Sequence, residues 1–367
     1  MKIALFHEVV IGGARSCANE FAKSLREKKH IVDLYIVDKE YPIGEKKYYN
    51  EIYYYPFISK DWRGNSWKNK LYKDTVEIYK LYTLHKKIAN DIEKKSYDFA
   101  FIHPSQYTQA PFLLRFLKIS KLYYCQESLR MIYEKSFDET ENLDIFKKRY
   151  ERITRKIRKI LDRKNISSAD IIFTNSTFTQ NNIWKAYHLK SIICHMGVDT
   201  KIFFETTKNK DIDILYIGSE DPIDGYELFN ESRKYIKTKL SIDYLLRGKK
   251  WLSGKKLIDY YSRAKIVICF GQREPFGLVP IEAMSCGAIV IALNEGGYKD
   301  SVQDKITGFL VSKNPVTIAK VINNALKHPI LLNSMSEKSK EEIKKNWLWK
   351  NSMEIILFNY AIWKKNQ

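Results

Sequence analysis

No apolar run in the sequence approaches the ~20 residues that a membrane-spanning helix needs. The chain opens Met1-Lys2-Ile3-Ala4-Leu5-Phe6, which already reads as a strand, with no signal peptide before it. Cysteine is sparse and scattered: Cys17, Cys125, Cys194, Cys269 and Cys286 form no C-x-x-C pair, and each sits beside apolar residues. That argues against a disulfide framework or a zinc site and for reduced, buried thiols of a cytoplasmic protein. There is no internal repeat and no low-complexity tract. Acidic residues are short, 43 against 63 Lys and Arg, which leaves a net charge of +20. Such an excess points to an anionic partner, whether a membrane surface, a nucleotide or a nucleic acid, although abundant Lys, Ile, Asn and Tyr also fit a plain compositional bias. No RNA-binding motif accompanies the charge, so no nucleic acid is expected. With 367 residues and 44% hydrophobic content, the chain is long enough for two globular domains.

What is present is organised around Arg273-Glu274-Pro275-Phe276-Gly277-Leu278-Val279-Pro280-Ile281-Glu282-Ala283-Met284-Ser285-Cys286-Gly287. The apolar run Ile266–Phe270 before it is short enough for a buried strand. Gly271 lets the backbone turn, Pro280 suits the first turn of a helix and Gly287 its end. The pattern is strand, loop, short helix. Seven residues separate Glu274 on the loop from Glu282 inside the helix. Amides around Gly277, Leu278 and Val279 would lie at the helix start, an anion site suited to phosphate. A carboxylate can accept hydrogen bonds from sugar hydroxyls. A phosphate cradle with a carboxylate on each side suits a nucleotide sugar.

This stretch resembles the E-x7-E signature of the retaining glycosyltransferases of the GT-B fold, glycosyltransferase family four (group 1 glycosyl transferases). The resemblance continues through Cys286–Ala292, Asn294-Glu295-Gly296-Gly297-Tyr298 and Thr307–Val311, and covers nearly the whole chain, weakest over 43–90 and 226–256.

The first half reads as a Rossmann-like domain. Lys2–Phe6 is a strand, Gly12-Gly13 opens a helix with Ala14, Cys17, Ala18, Phe21, Ala22 and Leu25 on one face, and Ile31–Val37 is the next strand. No third glycine follows, so this is not a dinucleotide fingerprint; in the family the loop faces the donor diphosphate. The segment 43–90 is basic and aromatic, with Tyr48-Tyr49, Tyr53-Tyr54-Tyr55 and Trp62 and Trp67 flanking Arg63. It reads as a solvated helix and loop, with contact to lipid headgroups or an acceptor as the alternative. Strands Asp98–Ile102 and Lys121–Cys125 end at His103 and at Gln126-Glu127. The family places a histidine near the reacting sugar where Gln126 stands; glutamine keeps the hydrogen bonds but cannot take a proton near neutral pH. His103 reads as a strand-end polar residue. Asp144–Arg163 reads as a helix with the stripe Phe146, Tyr150, Ile153, Ile157 and Ile160. It is expected to pack on its own sheet with a solvated basic face, a membrane-surface helix being the alternative.

The second half, after the polar linker Lys208–Asp211, shows strands Ile212–Ile217, Leu240–Leu246, Ile266–Phe270 and Ala288–Ala292, with helices Lys256–Arg263 and Val316–Leu326. The resemblance implies an α/β, GT-B architecture: two Rossmann-like domains facing each other across a cleft, 1–205 on the acceptor side and 206–345 on the nucleotide-sugar side, with a C-terminal helix, 346–367, crossing back to the first. It implies transfer of a sugar from a nucleotide diphosphate sugar to a hydroxyl of a glycan or lipid-linked acceptor with retention of configuration. No cofactor and no metal is implied, and the location is cytoplasmic or peripheral on the inner membrane face. By the same resemblance Glu282 grips the ribose and Glu274 the transferred sugar; Gln126 lies near the reaction. Gly12, Gly13, Gly218, Phe276, Gly277 and Leu278 line the donor.

One departure matters. After Ile214–Gly218 the family carries an arginine, and then a lysine before a glycine, both on the diphosphate; here Ser219 and Asp224 stand there, before Gly225. Arg15 and Arg273 are expected to replace that pair, with Arg247, Lys249 and Lys250 as lesser candidates. A catalytically silent partner subunit of the same fold remains the first alternative, and a nucleic-acid-binding protein the second.

Overall fold

Short apolar runs alternating with amphipathic helices give two parallel β-sheets with helices on both faces, because parallel strands need crossover connections and bury both sides. The computed structural model describes residues 1–59, 66–134, 144–237, 239–247, 249, 252 and 254–367. Trp62, Arg63 and Lys250 lie outside the described residues. Two compact units are present: 1–175 with 180–194 and 355–367, and 176–179 with 195–354.

The first unit holds β1 (Lys2–Glu8), β2 (Ile31–Asp38), β3 (Ile52–Pro56), β4 (Phe99–Ser105), β5 (Lys121–Cys125), β6 (Ile171–Thr174) and β7 (Ile192–Ile193). Their spatial order is β3-β2-β1-β4-β5-β6-β7, so the winding reverses between β1 and β4. The helix Gly13–Glu27 packs Cys17, Ala18, Phe21, Ala22 and Leu25 inward as its period requires. Phe21 meets Phe101 and Tyr124 edge-on at 5.3 and 4.9 Å. The last helix, Trp349–Lys365, ends in this unit: Tyr360 Oη donates to the Asp98 carbonyl at 2.8 Å and its ring lies 4.6 Å from Phe99.

The second unit holds β8 (Ile212–Gly218), β9 (Ile242–Leu246), β10 (Ala264–Cys269), β11 (Ile289–Leu293) and β12 (Gly308–Val311), ordered β12-β11-β10-β8-β9. Its winding reverses between β8 and β10. Both units are Rossmann-like.

Two expectations fail. Tyr53, Tyr54 and Tyr55 form edge strand β3 rather than a solvated loop: Tyr53 stacks on Tyr35 at 4.7 Å and Tyr55 is buried, while Tyr49 is buried and donates to Asn19. The helix Ile145–Ile166 forms, but its apolar stripe does not pack on the sheet; Phe146, Ile153, Ile157 and Ile160 are exposed. Among the described residues, no helix is long and apolar enough to cross a membrane.

Candidate active site

In open α/β sheets, ligands bind beyond the carboxyl ends of the strands, where the winding reverses. In the second unit that place lies beyond β8 and β10, and three loops converge there. The turn after β8 is strapped to the end of β10. Gln272 donates its backbone N–H to the Ile223 carbonyl at 2.7 Å and its Nε2 to the Pro222 carbonyl at 3.0 Å. Gly225 has φ 77°, and a Cβ there would stand 2.4 Å from the Phe270 carbonyl oxygen. Only glycine serves.

The loop after β10 leads into the helix Leu278–Ser285. Gly277, at its N-cap, has φ 83°; no side chain caps this start and its first turn holds no acid. The first amides of a helix have no partner within it, so they present donors and positive potential. Glu274, on the loop, is partly exposed, and its backbone carbonyl accepts from Gly297 at 2.8 Å. A Cβ at Gly296 would lie 2.5 Å from the Glu274 carbonyl oxygen, and one at Gly297 2.4 Å from that of Pro275. The loops after β10 and β11 therefore touch backbone to backbone. Arg273 has φ 51°, and its N–H donates to Glu295 Oε1 at 2.8 Å; its guanidinium lies 5.7 Å over the Phe178 ring. Phe276 is buried beside His195 and Trp347.

Glu282 projects from the helix and accepts from the buried Tyr261 hydroxyl at 3.0 Å. Burial pushes its carboxyl up to about 7, with the Tyr261 bond pulling the other way. A carboxylate with its charge poorly solvated and one neutral donor is well placed to take further hydroxyls. Tyr298, buried, holds its hydroxyl beside Gly271 and Glu274. Tyr261 escapes a reading of the sequence, because its role depends on a contact from another element, and a tyrosine inside a regular helix gives no local signal; Glu295 and Tyr298 stand in the run that carries the resemblance, but their contacts to Arg273 and Glu274 could not be read from it.

The departures are locked in place. Ser219 Oγ donates to Asp224 Oδ2 at 2.5 Å, and Tyr216 Oη donates to the Asp224 carbonyl at 2.8 Å. Gly218 ends β8, and its carbonyl accepts from the Arg247 N–H at 2.8 Å, which puts Arg247 at the same sheet end. Lys249 pairs with Glu220 at 2.7 Å.

In the first unit, Gly12 and Gly13 open the helix Gly13–Glu27 as expected, both exposed and without a side-chain cap. Arg15 revises its expected role. It is 5% exposed, and its guanidinium holds Glu45 at 2.5 Å and also Asp38. Burial works against the Glu45 charge, yet the nearby His7 ring, 3.8 Å away, and the bond from Arg15 bring its carboxyl down to about 2. Arg15 thus balances two carboxylates of its own unit. Gln126 is buried, with Nε2 3.4 Å from the Ala14 carbonyl, so it braces the helix start; its own carbonyl accepts from Asn175. His103 is fully buried among Phe21, Phe101 and Tyr124, and burial holds it well below its usual range. Neither ring nitrogen of His103 or His7 finds a hydrogen-bond partner among the described residues, whereas Glu8 and His85 pair at 3.0 Å. Among the described residues, no group of three or more His, Cys, Asp or Glu is placed to hold a metal ion.

The segment 225–342 matches the family profile "Glycosyl transferases group 1". That segment is similar to a group 1 glycosyl transferase domain. Trehalose synthase of Pyrococcus horikoshii is 31% identical over 151 residues, 40% of this chain and 35% of that protein. The chain spans about a third of the length of such curated relatives. The fold as a whole is GT-B. Sucrose-phosphate synthase from Thermosynechococcus elongatus superposes with a TM-score of 0.76 at 16% identity over 100% of both chains. HepE of Anabaena, solved in complex with UDP and glucose, superposes at 0.71 and 15% identity over 98% of this chain and 99% of its own.

Proposed function

We propose that the protein is a retaining glycosyltransferase that takes a sugar from a nucleotide diphosphate sugar. The observation that carries this is the pairing of Glu274 and Glu282 around an uncapped helix start at the reversal point of the second sheet. Glu282, oriented by Tyr261, accepts the ribose hydroxyls; Glu274, beside Tyr298, accepts hydroxyls of the transferred sugar. The amides of Gly277, Leu278 and Val279 take the diphosphate, with positive charge from Arg273 and, in place of Arg15, Arg247 at the end of β9. HepE, with UDP and glucose, supports a uridine donor as the first to try.

In the transfer, the bond from the anomeric carbon to the diphosphate oxygen breaks and its electron pair leaves with the diphosphate. The acceptor hydroxyl oxygen bonds to the same face of that carbon, and its proton passes to the departing oxygen. Catalysis comes from orientation and from charge stabilisation on the leaving group. No protein nucleophile and no metal is required in this scheme. The acceptor, a glycan or lipid-linked sugar hydroxyl, is assigned to the first unit.

A silent partner subunit is the second reading. Its support is the Ser219–Asp224 pair, which sets a carboxylate where the resemblance calls for a cation.

Calorimetry with UDP, GDP and their sugars, followed by a transfer assay with and without EDTA, tests both readings. Nucleotide binding that Glu282→Ala weakens roughly tenfold or more, at about 1.5–3 kcal/mol per lost charged hydrogen bond, supports the donor site. Transfer indifferent to EDTA completes the reading. Binding without turnover favours the silent subunit, and binding unchanged in Glu282→Ala removes Glu282 from the ribose.

A further inference from the structure

The helix Ile145–Ile166 of the first unit is held mainly by polar links. Tyr150 Oη donates to Asp74 at 3.0 Å, Arg158 pairs with the same carboxylate, Glu151 pairs with Lys70, and Arg155 donates to the Met131 carbonyl at 3.0 Å. Apolar packing against the core begins only near its C-terminal end, at Leu161 and Ile166. The rest of its apolar residues are left outside. Phe146, Ile153, Ile157 and Ile160 are 87, 51, 50 and 54% exposed. At ~100° per residue they fall within about 60° of one another around the axis, one line along a 22-residue helix.

Arg149, Arg152, Lys156 and Lys159, all exposed, run beside that line. The helix holds ten Lys and Arg and two acids. Both acids are turned inward: Glu151 lies in its ion pairs, and Asp162, buried, accepts from Tyr187. The face shown to solvent is therefore an apolar line bordered by cations with no acid from the helix.

We propose that this face docks the protein on an anionic lipid bilayer, with the helix lying in the interface. Phosphates of the headgroups meet the cations while Phe146 and the isoleucines enter the acyl boundary, an arrangement in which both halves of the face are satisfied together. A second copy of the chain would bring this cationic border against its own like and is disfavoured. A nucleic acid would use the cations and leave the apolar line in water.

Sedimentation of the full chain with phosphatidylglycerol–phosphatidylcholine vesicles, against pure phosphatidylcholine, tests this. Binding is expected on the anionic vesicles and is expected to fall as salt rises from 0.1 to 1 M, where the screening length shrinks from about 10 to about 3 Å. Phe146→Ser with Ile157→Ser, and separately Arg149→Glu with Lys156→Glu, are each expected to lose roughly tenfold or more in partitioning at unchanged melting temperature, since all four side chains are exposed. Four results overturn the proposal. These are equal binding to neutral vesicles, undiminished binding by the serine variant, a dimer that the serine variant abolishes, and binding of single-stranded RNA tighter than binding of anionic vesicles. The assay needs no donor and no turnover, so it stands or fails apart from the transferase reading.

Discussion

Both units start a helix from glycine just beyond a central strand, and the two starts have opposite surroundings. At Gly12-Gly13 the nearby charge is spent inside the fold: Arg15 is buried between Asp38 and Glu45, and burial lowers the pKa of the His7 and His103 rings. At Gly277 the charge is held in reserve: Glu282 has one tyrosine as partner and a carboxyl raised by burial, and no acid occupies the first helical turn. The same local motif is thus charge-balanced in one place and, in the function we propose, left open for a ligand in the other. What separates them is the balance of charge around them, which a glycine pattern alone does not carry.

The sharpest way to break the comparison is Glu274→Gln. Transfer should fall by a factor of 10²–10³, about 3–4 kcal/mol as for loss of a charge-stabilising group, with nucleotide affinity held within twofold by calorimetry. The reciprocal change, Arg15→Ala, should leave nucleotide affinity alone and destabilise the first unit by roughly 2–4 kcal/mol. It strands Asp38 and Glu45, both partly shielded from water. Urea unfolding measures it, and a loss of donor affinity without a loss of stability would restore Arg15 to the donor.

A third change tests the reserve itself. The Glu282 carboxyl is raised from its usual value to about 7, so the folded state binds more protons than the unfolded one between about pH 4.5 and 7. Its contribution to stability therefore falls as pH rises through that window. Glu282→Gln should remove the slope and gain on the order of 1–3 kcal/mol over wild type above pH 7. Wild-type nucleotide affinity should rise across the same window, as the ionised form accepts the hydroxyls, and the variant's should not. The smallest effect is expected at Asp224→Lys. It exchanges a carboxylate held by Ser219 for a cation at the sheet end, and donor affinity should rise by about 1 kcal/mol. Creation of binding where wild type has none would instead favour the silent subunit.

The strand, loop and helix around Glu274 and Glu282 were legible because strand length, Gly271, Pro280 and Gly287 all speak locally. The two sheets followed from alternation. Strand β3 was not legible, since Tyr53, Tyr54 and Tyr55 carry no apolar–polar alternation and only packing on Tyr35 turns them into a sheet edge. Arg15 could not be read either. Its partners stand 23 and 30 residues away on separate elements, and an arginine after two glycines looks the same whether it is neutralised or not. Amphipathic spacing located the stripe on Ile145–Ile166 but not what covers it: period fixes which residues share a face, and tertiary contacts decide which face turns inward.

The backbone contact between the loops after β10 and β11 has a consequence for how this protein can diverge. Any side chain at Gly296 or Gly297 would strike the main chain of Glu274, Pro275 or Phe276. That wall of the cradle is closed to single-step substitution, and duplicated copies of the gene would inherit it unchanged. If the cradle holds the donor as we propose, new preferences would enter more readily through side chains on the turn from Ser219 to Asp224 and at Arg247. Ser219 and Asp224 are where this sequence departs from the pattern the resemblance implies.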